Sequence, residues 1–303
     1  MLCRFIGEEE ESVDILFEAS KKAIDDSGVD KNEIDALIVA HNTGNFLANK
    51  GPVFHTVPNV AAVLKNRLKI SNHQCHAYDI LFGCPGWLQG VIQANRLIES
   101  GEATHVLVAG LEIASRLIDP HDVDSLLMAD GCGATIISQS NSKSKGILSN
   151  ATFSHSDEDL LNITLGASLN SETVGDTLFK MNGQRVYKYA TTWLPQVIKQ
   201  SLDQVNISPK EVDYFFFHQA NGKMLRVIAS NLMKIYGIED ESYKNKIPSS
   251  ISFLGNTSVA TIPTLFDLVN KNTMEGFELK ENQTYVFASV GAGMHCNAIV
   301  YKS

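Results

Sequence analysis

Cys84, His218 and Asn256 are the residues of this chain best placed to do chemistry together. Cys84 ends the run Tyr78-Asp-Ile-Leu-Phe-Gly83, so it stands where a strand stops. Pro85 follows, a residue suited to the first turn of a helix. Trp87, Leu88, Val91, Ile92 and Ile98 then recur on one helical face. Cys84 is therefore expected at or just before a buried helix N-terminus, where free N–H groups and the positive dipole end favour thiolate over thiol. A thiolate is the nucleophile that acyl transfer needs. His218 closes the buried-strand pattern Val212-Asp-Tyr-Phe-Phe-Phe217 and opens the polar run His218-Gln-Ala-Asn221. Asn256 heads Asn256-Thr257-Ser258 before another helical pattern. Each has a plainer use when taken singly. A free Cys is usually a small core residue, a strand-end His is usually a hydrogen-bonded structural group, and Asn-Thr-Ser is a good helix cap. Cys132, in Asp130-Gly-Cys-Gly133, has no helix start beside it and reads as structural.

A duplication links the three residues. Phe17 to Asn45 lies over Pro195 to Lys223 without a gap. Lys21/Lys199, Asp25/Asp203, Glu33/Glu211, Asp35/Asp213 and Gly44/Gly222 coincide. The apolar pairs Ile24/Leu202, Val29/Ile207, Ile34/Val212 and Leu37/Phe215 coincide as well. Each copy is a helix-period stretch, a short polar loop and a strand-like run. Asp79 to Cys84 then lies over Ile251 to Asn256, and Thr104 to Gly110 over Thr284 to Val290. A repeat this long means two fused half-domains, not a solenoid. The halves are expected at residues 1–140 and 146–303, joined by the Ser-rich segment Ser138 to Lys145. Alternating helices and β-branched strands give the α/β class. The overlay makes Asn256 the counterpart of Cys84, so both helix starts would face one place. Gly291-Ala292-Gly293 closes the last strand, and small residues there let backbone N–H groups approach a ligand as an oxyanion hole requires.

Bulk properties narrow the class. An apolar content of 44% and a mean hydropathy of −0.04 describe a globular chain with ample core. A net charge of −9 and a pI near 5.5 argue against general nucleic-acid binding. No apolar run approaches the ~20 residues of a membrane span, and the acidic start lacks a signal-peptide core. Cys3, Cys75, Cys84, Cys132 and Cys296 are odd in number and include no C-x-x-C pair, which suits free thiols in a reducing cytoplasm. His41, His55, His73 and His76 are scattered without ligand spacing, so neither a metal nor another cofactor is expected.

At these residues the chain resembles the thiolase superfamily, and within it the 3-oxoacyl-acyl-carrier-protein synthase III family. The resemblance runs from about Glu11 to the C-terminus. Gly83-Cys84, Asp130-Gly-Cys-Gly133, His218-Gln-Ala-Asn221, Gly255-Asn-Thr-Ser258 and Gly291-Ala-Gly293 carry it. Elongating condensing enzymes have Cys-His-His and thiolases a second Cys, so Asn256 selects the type III branch. The resemblance implies a five-layered αβαβα fold, a homodimer and a ping-pong decarboxylative Claisen condensation. Cys84 would take an acyl group from acyl-CoA or acyl-ACP. His218, donating from Nε2, and Asn256 would hold the thioester carbonyl of malonyl-ACP and the enolate left when carbon dioxide departs. The N–H groups of Cys84 and Ala292 would hold the acyl oxygen. Asn221 and Gly183 would line the pantetheine tunnel, and Lys188, Lys223 and Arg226 would form a basic rim for the carrier protein or CoA phosphates. Val57 falls where the family usually has a Phe reaching into the partner's acyl pocket.

Three departures accompany the match. The chain begins roughly 30 residues into the family pattern, as judged from motif spacing. The family's corresponding segment supplies a strand and a Trp/Arg pair that grips the CoA adenine. Val123 replaces the family's adenine-stacking Arg, and the glycine triplet reads Gly-Ala-Gly. The first two favour ACP or another carrier over CoA as donor. Two further readings of the same residues are an acyltransferase of secondary metabolism and a non-catalytic partner of a full-length synthase.

Overall fold

The computed structural model describes residues 4–140, 142, 144–170, 172 and 178–303. Cys3 and residues 141 and 143 of the expected joint lie outside the described residues. The chain opens with α1 (Ser12–Ser27), closed by Gly28 in a left-handed conformation. β1 (Ala36–Ala40) follows, every residue of it buried. The short pair β2 (Asn45–Phe46) and β3 (Phe54–His55) leads to α2 (Val60–Leu68) and β4 (His76–Ile80). Then come α3 (Gly86–Glu99), β5 (His105–Glu112) and β6 (Gly131–Ser138). These form one sheet in the order β4-β1-β5-β6, with β1 parallel to β4 and β5, and β6 antiparallel.

The second half begins at β7 (Gly146–Ser154), followed by the hairpin β8 (Ile163–Gly166) and β9 (Leu178–Met181). It continues with α4 (Gly183–Gln204), β10 (Tyr214–Phe217), α5 (Gly222–Ile235), α6 (Ile251–Leu254), α7 (Thr261–Asn270), β11 (Thr284–Gly291) and β12 (His295–Lys302). The second sheet runs β10-β11-β12-β7. α1 and α2 cover the outer face of the first sheet, and α4 and α5 that of the second. α3 and α7 lie between the sheets, where Trp87, Leu88, Val91, Ile262 and Leu265 pack with Val108, Phe216 and Phe287. This is the five-layered αβαβα arrangement. Strands sandwiched between helices on both faces must be apolar throughout, which is why Ala36–Ala40 and Phe215–Phe217 show no alternation.

The repeat is visible in detail. Short 3₁₀ turns at Lys31–Glu33 and Pro209–Glu211 precede β1 and β10 at the same spacing, and β5 matches β11. One stretch departs from the repeat. Ile251–Leu254 forms the one-turn helix α6 where its counterpart is β4. Asn256 therefore does not end a strand; it joins Met128 by a single parallel bridge.

Candidate active site

Cys84 sits on the turn between β4 and α3. Pro85 is the cap of α3 (φ −69°, ψ 0°), one residue before the helical position expected for it. Its carbonyl accepts from the Gln89 N–H at 2.9 Å and from Asn297 Nδ2 at 3.1 Å, so β12 fastens the start of α3. Two glycines bring the halves together here. A Cβ on Gly83 (φ +60°) would lie 2.7 Å from the Ala292 nitrogen, and one on Gly291 would lie 2.5 Å from the Cys84 nitrogen. Neither position admits a side chain, and the Cys84 and Ala292 backbones meet as a result.

Burial pushes the Cys84 thiol up to about 12. The Ser258 hydroxyl, donating to Sγ at 3.2 Å, opposes this, and the Glu112 carboxylate adds to it. The expected resting thiolate is thus corrected: desolvation and a neighbouring carboxylate outweigh the helix end. Acyl transfer from a neutral thiol needs a proton acceptor.

The turn from Asn256 to Thr261 organises the other two groups. Gly255 (φ +74°) turns the chain out of α6. Asn256 Oδ1 accepts from the Ser258 N–H at 2.8 Å, while its Nδ2 makes no hydrogen bond among the described residues. His218 follows β10, and its N–H donates to the Ala288 carbonyl at 3.0 Å. Gln219 fastens that loop, donating to the Phe217 carbonyl and accepting from Ser249 Oγ and the Ser250 N–H. His218 Nδ1 lies 2.8 Å from Thr261 Oγ1, itself 3.0 Å from the Ser258 carbonyl. Two hydrogen placements satisfy these distances. If Thr261 donates to the carbonyl, Nδ1 carries the proton and Nε2 is an acceptor; if Thr261 donates to Nδ1, Nε2–H is a donor. Burial lowers the His218 pKa to about 4, only partly offset by the Ser258 carbonyl, so the ring is neutral at pH 7.

A cavity of about 210 Å³ reaches Cys84 and Ala292, and its walls include Leu117, Met128, Ile163, Leu165 and Phe179. Apolar walls of this kind suit an acyl chain. Gly183 lies elsewhere, on a wider cavity of about 900 Å³ with Asp122, Asp124 and Lys180. Lys180 is bound there to Asp119 and Asp122. Val123, between Asp122 and Asp124, is 76% exposed. Asn221 caps α5, accepting from the Lys223 and Met224 N–H groups. Lys188, Lys223 and Arg226 are exposed on the paired helices α4 and α5 and form no ion pair among the described residues. Val57 is 84% exposed at a cis Val57–Pro58 bond and does not line the Cys84 cavity of its own chain. Cys132 is a free thiol that burial pushes well up, in keeping with a structural role.

Two family models match the chain, 3-oxoacyl-[acyl-carrier-protein] synthase III over residues 78–156 and its C-terminal domain over residues 202–303. A beta-ketoacyl-[acyl-carrier-protein] synthase III of Staphylococcus saprophyticus is 32% identical, over 99% of this chain and 86% of that protein. The chain belongs to the 3-oxoacyl-acyl-carrier-protein synthase III family. Its members are condensing acyltransferases of the thiolase fold. A synthase III of Ehrlichia canis is 33% identical over 96% of this chain and 84% of its own length. The crystal structure of a synthase III from Aquifex aeolicus superposes with a TM-score of 0.81 at 25% identity, covering 99% of this chain and 87% of that one. One from Thermus thermophilus gives 0.80 at 26% identity, with the same coverage of each.

Sequence reasoning missed Ser258, Thr261, Glu112 and Asn42, whose Nδ2 donates to Glu112 and, at 3.0 Å, to Ser258 Oγ. Ser258 and Thr261 were hidden in a stretch that reads as a helix cap. Glu112 ends the otherwise apolar β5, and a carboxylate closing such a run was the available signal.

Proposed function

We propose that this chain carries out the family's condensation in two half-reactions at Cys84. In the first, Cys84 Sγ attacks a carrier-bound acyl thioester, and the acyl chain lies in the apolar cavity beside it. In the second, His218 and Asn256 hold the thioester oxygen of malonyl-ACP while it loses carbon dioxide. The resulting carbanion attacks the acyl-Cys84 carbonyl, whose oxygen rests on the Cys84 and Ala292 N–H groups. The observation that supports this reading is the close approach of Gly83 to Ala292 and of Gly291 to Cys84, which leaves no room for a side chain between the two backbones. Neutral His218 suits the second step, because a neutral donor stabilises a developing enolate without transferring a full charge. Thr261 would donate to Nδ1 at that stage, leaving Nε2–H for the enolate oxygen.

An ACP-bound donor is favoured over CoA. The cavity at Gly183 presents Asp122 and Asp124, and its Lys180 is already neutralised, so it offers little to phosphates. Lys188, Lys223 and Arg226 would meet the acidic carrier. Asn221 would serve the pantetheine arm with Gly183, and a homodimer would bring Val57 to the partner's acyl pocket. The roles separate in one experiment with labelled malonyl-ACP and acyl donors of several lengths. Asn256→Ala should still acylate Cys84 yet lose decarboxylation and 3-oxoacyl product. Full condensation by Asn256→Ala would contradict the assignment.

A further inference from the structure

Ser258 holds a conformation that its sequence position does not require. Its φ is +47° and it is 1% exposed, whereas the other non-glycine residues of positive φ among those described (Asn49, Lys69, Asn206, Asn272 and Asn282) are exposed. Left-handed backbone at a buried serine is strained and persists only where surrounding contacts enforce it. Those contacts lead to all three reacting side chains. The Ser258 N–H donates to Asn256 Oδ1 at 2.8 Å. Its carbonyl lies 3.0 Å from Thr261 Oγ1, the hydroxyl beside His218 Nδ1. Its own hydroxyl donates to Cys84 Sγ at 3.2 Å. Two further side chains set the direction of that last bond. Asn42 Nδ2 carries two hydrogens and no acceptor site. It donates to Glu112 and, at 3.0 Å, to Ser258 Oγ. Glu112 is 4% exposed at the end of β5. A flipped Asn42 amide would set its oxygen against that carboxylate, so the nitrogen faces both acceptors. With its oxygen accepting from Asn42, the Ser258 hydroxyl turns its hydrogen to Sγ. Cys84, Ser258, Glu112 and Asn42 all line the 210 Å³ cavity.

We infer that Ser258 is the residue that stabilises the Cys84 thiolate, and that Asn42 positions its hydroxyl for that task. The inference rests on Cys84 being the residue acylated. In the first half-reaction the thiol proton passes to water and Sγ bonds to the acyl carbon. The donor's C–S bond then breaks, and the departing carrier thiolate takes a proton from water. In the second, the C–C bond forms and the bond from the acyl carbon to Sγ breaks, its electron pair passing to Sγ. That thiolate takes a proton from water. One solvent proton is consumed per turnover, as decarboxylation of a malonyl carboxylate requires. Ser258 keeps its own proton throughout. Sγ thus carries a negative charge once in each half-reaction, and a buried charge without a donor is costly. Burial and the Glu112 carboxylate both disfavour that charge, and the Ser258 hydroxyl is the side-chain donor that opposes them. The part of Glu112 is to orient Asn42.

Iodoacetamide reads the thiolate without any acyl chemistry. Alkylation of Cys84, followed by peptide mass at pH 8, should be about 10- to 10²-fold slower in Ser258→Ala, the worth of one hydrogen bond to a charged group. Ser258→Gly should show the same loss. It removes the hydroxyl at a backbone conformation that glycine adopts freely, so it decides the question if the alanine variant does not fold. An equal or faster rate in Ser258→Gly overturns the proposal. Asn42→Ala should slow alkylation by a smaller factor in the otherwise native chain and have no effect in Ser258→Gly, because the amide acts through the hydroxyl. An Asn42 that merely supports the fold would slow both alike, and that result overturns its positioning role. Slowed alkylation in Ser258→Gly without acylation of native Cys84 by acyl-ACP would count against the condensation reading and leave the thiolate donor standing. Acylation of native Cys84 with unslowed alkylation in Ser258→Gly would do the reverse.

Discussion

Gly291 and His218 show how single residues set the chemistry. Placing a methyl group on Gly291 forces the 291–292 backbone away from Cys84, because the added atom would fall 2.5 Å from the Cys84 nitrogen. Gly291→Ala should cut the rate of Cys84 acylation by roughly 10²-fold or more, the cost of displacing one oxyanion donor. A quenched-flow mass measurement on the folded variant checks it. His218 gives a pH signature. Its folded pKa, about 4, lies below the ordinary 6.5, so the unfolded chain binds the extra proton first as pH falls. The native state should therefore lose on the order of 3 kcal/mol from this group between pH 6.5 and 4, and no more below that. Urea unfolding across that window, compared with His218→Gln, measures the loss. Cys84, His218 and Asn256 stood out in the sequence because each interrupts or follows an apolar run. Glu112 and Ser258 did not: the Asn42 amide that donates to both reaches across 70 and 216 positions, a property of the folded chain alone.

At the level of elements, periodicity revealed β1, β5, β10 and β11 because strands covered on both faces are uninterrupted apolar runs. The stretch 251–254 defeated the same argument. Ile-Ser-Phe-Leu alternates well enough for a strand, yet no strand among the described residues pairs with it, and its hydrogen bonds close locally as α6. The start of α3 depends on an element from the other half. Asn297, fully buried on β12, donates to the Pro85 carbonyl. Asn297→Ala would remove one of the two hydrogen bonds that carbonyl accepts and should cost about 0.5–1.5 kcal/mol. A thermal melt reads the loss, and unchanged stability would show that α3 is held by its own packing.

For the whole molecule, the duplication explains why the site lies where the halves meet: each half brings one glycine turn and one helix start to the other. Net charge bears on the proposed carrier surface. The chain carries a net charge of −9, so an acidic partner should be repelled everywhere except at a local basic face. Reversing Lys188, Lys223 and Arg226 to Glu should raise the KM for ACP-bound substrate several-fold and flatten its salt dependence, with little change for a small thioester. Equal effects on both substrates would place the carrier elsewhere. The central claim is that Cys84 alternates between thiol and acyl thioester within one condensation cycle. Intact mass after mixing with acyl-ACP should show one added acyl group on Cys84, absent from Cys84→Ala. Addition of malonyl-ACP should discharge it as 3-oxoacyl-ACP. An acyl group that never forms on Cys84, or one that malonyl-ACP leaves in place, would contradict the account.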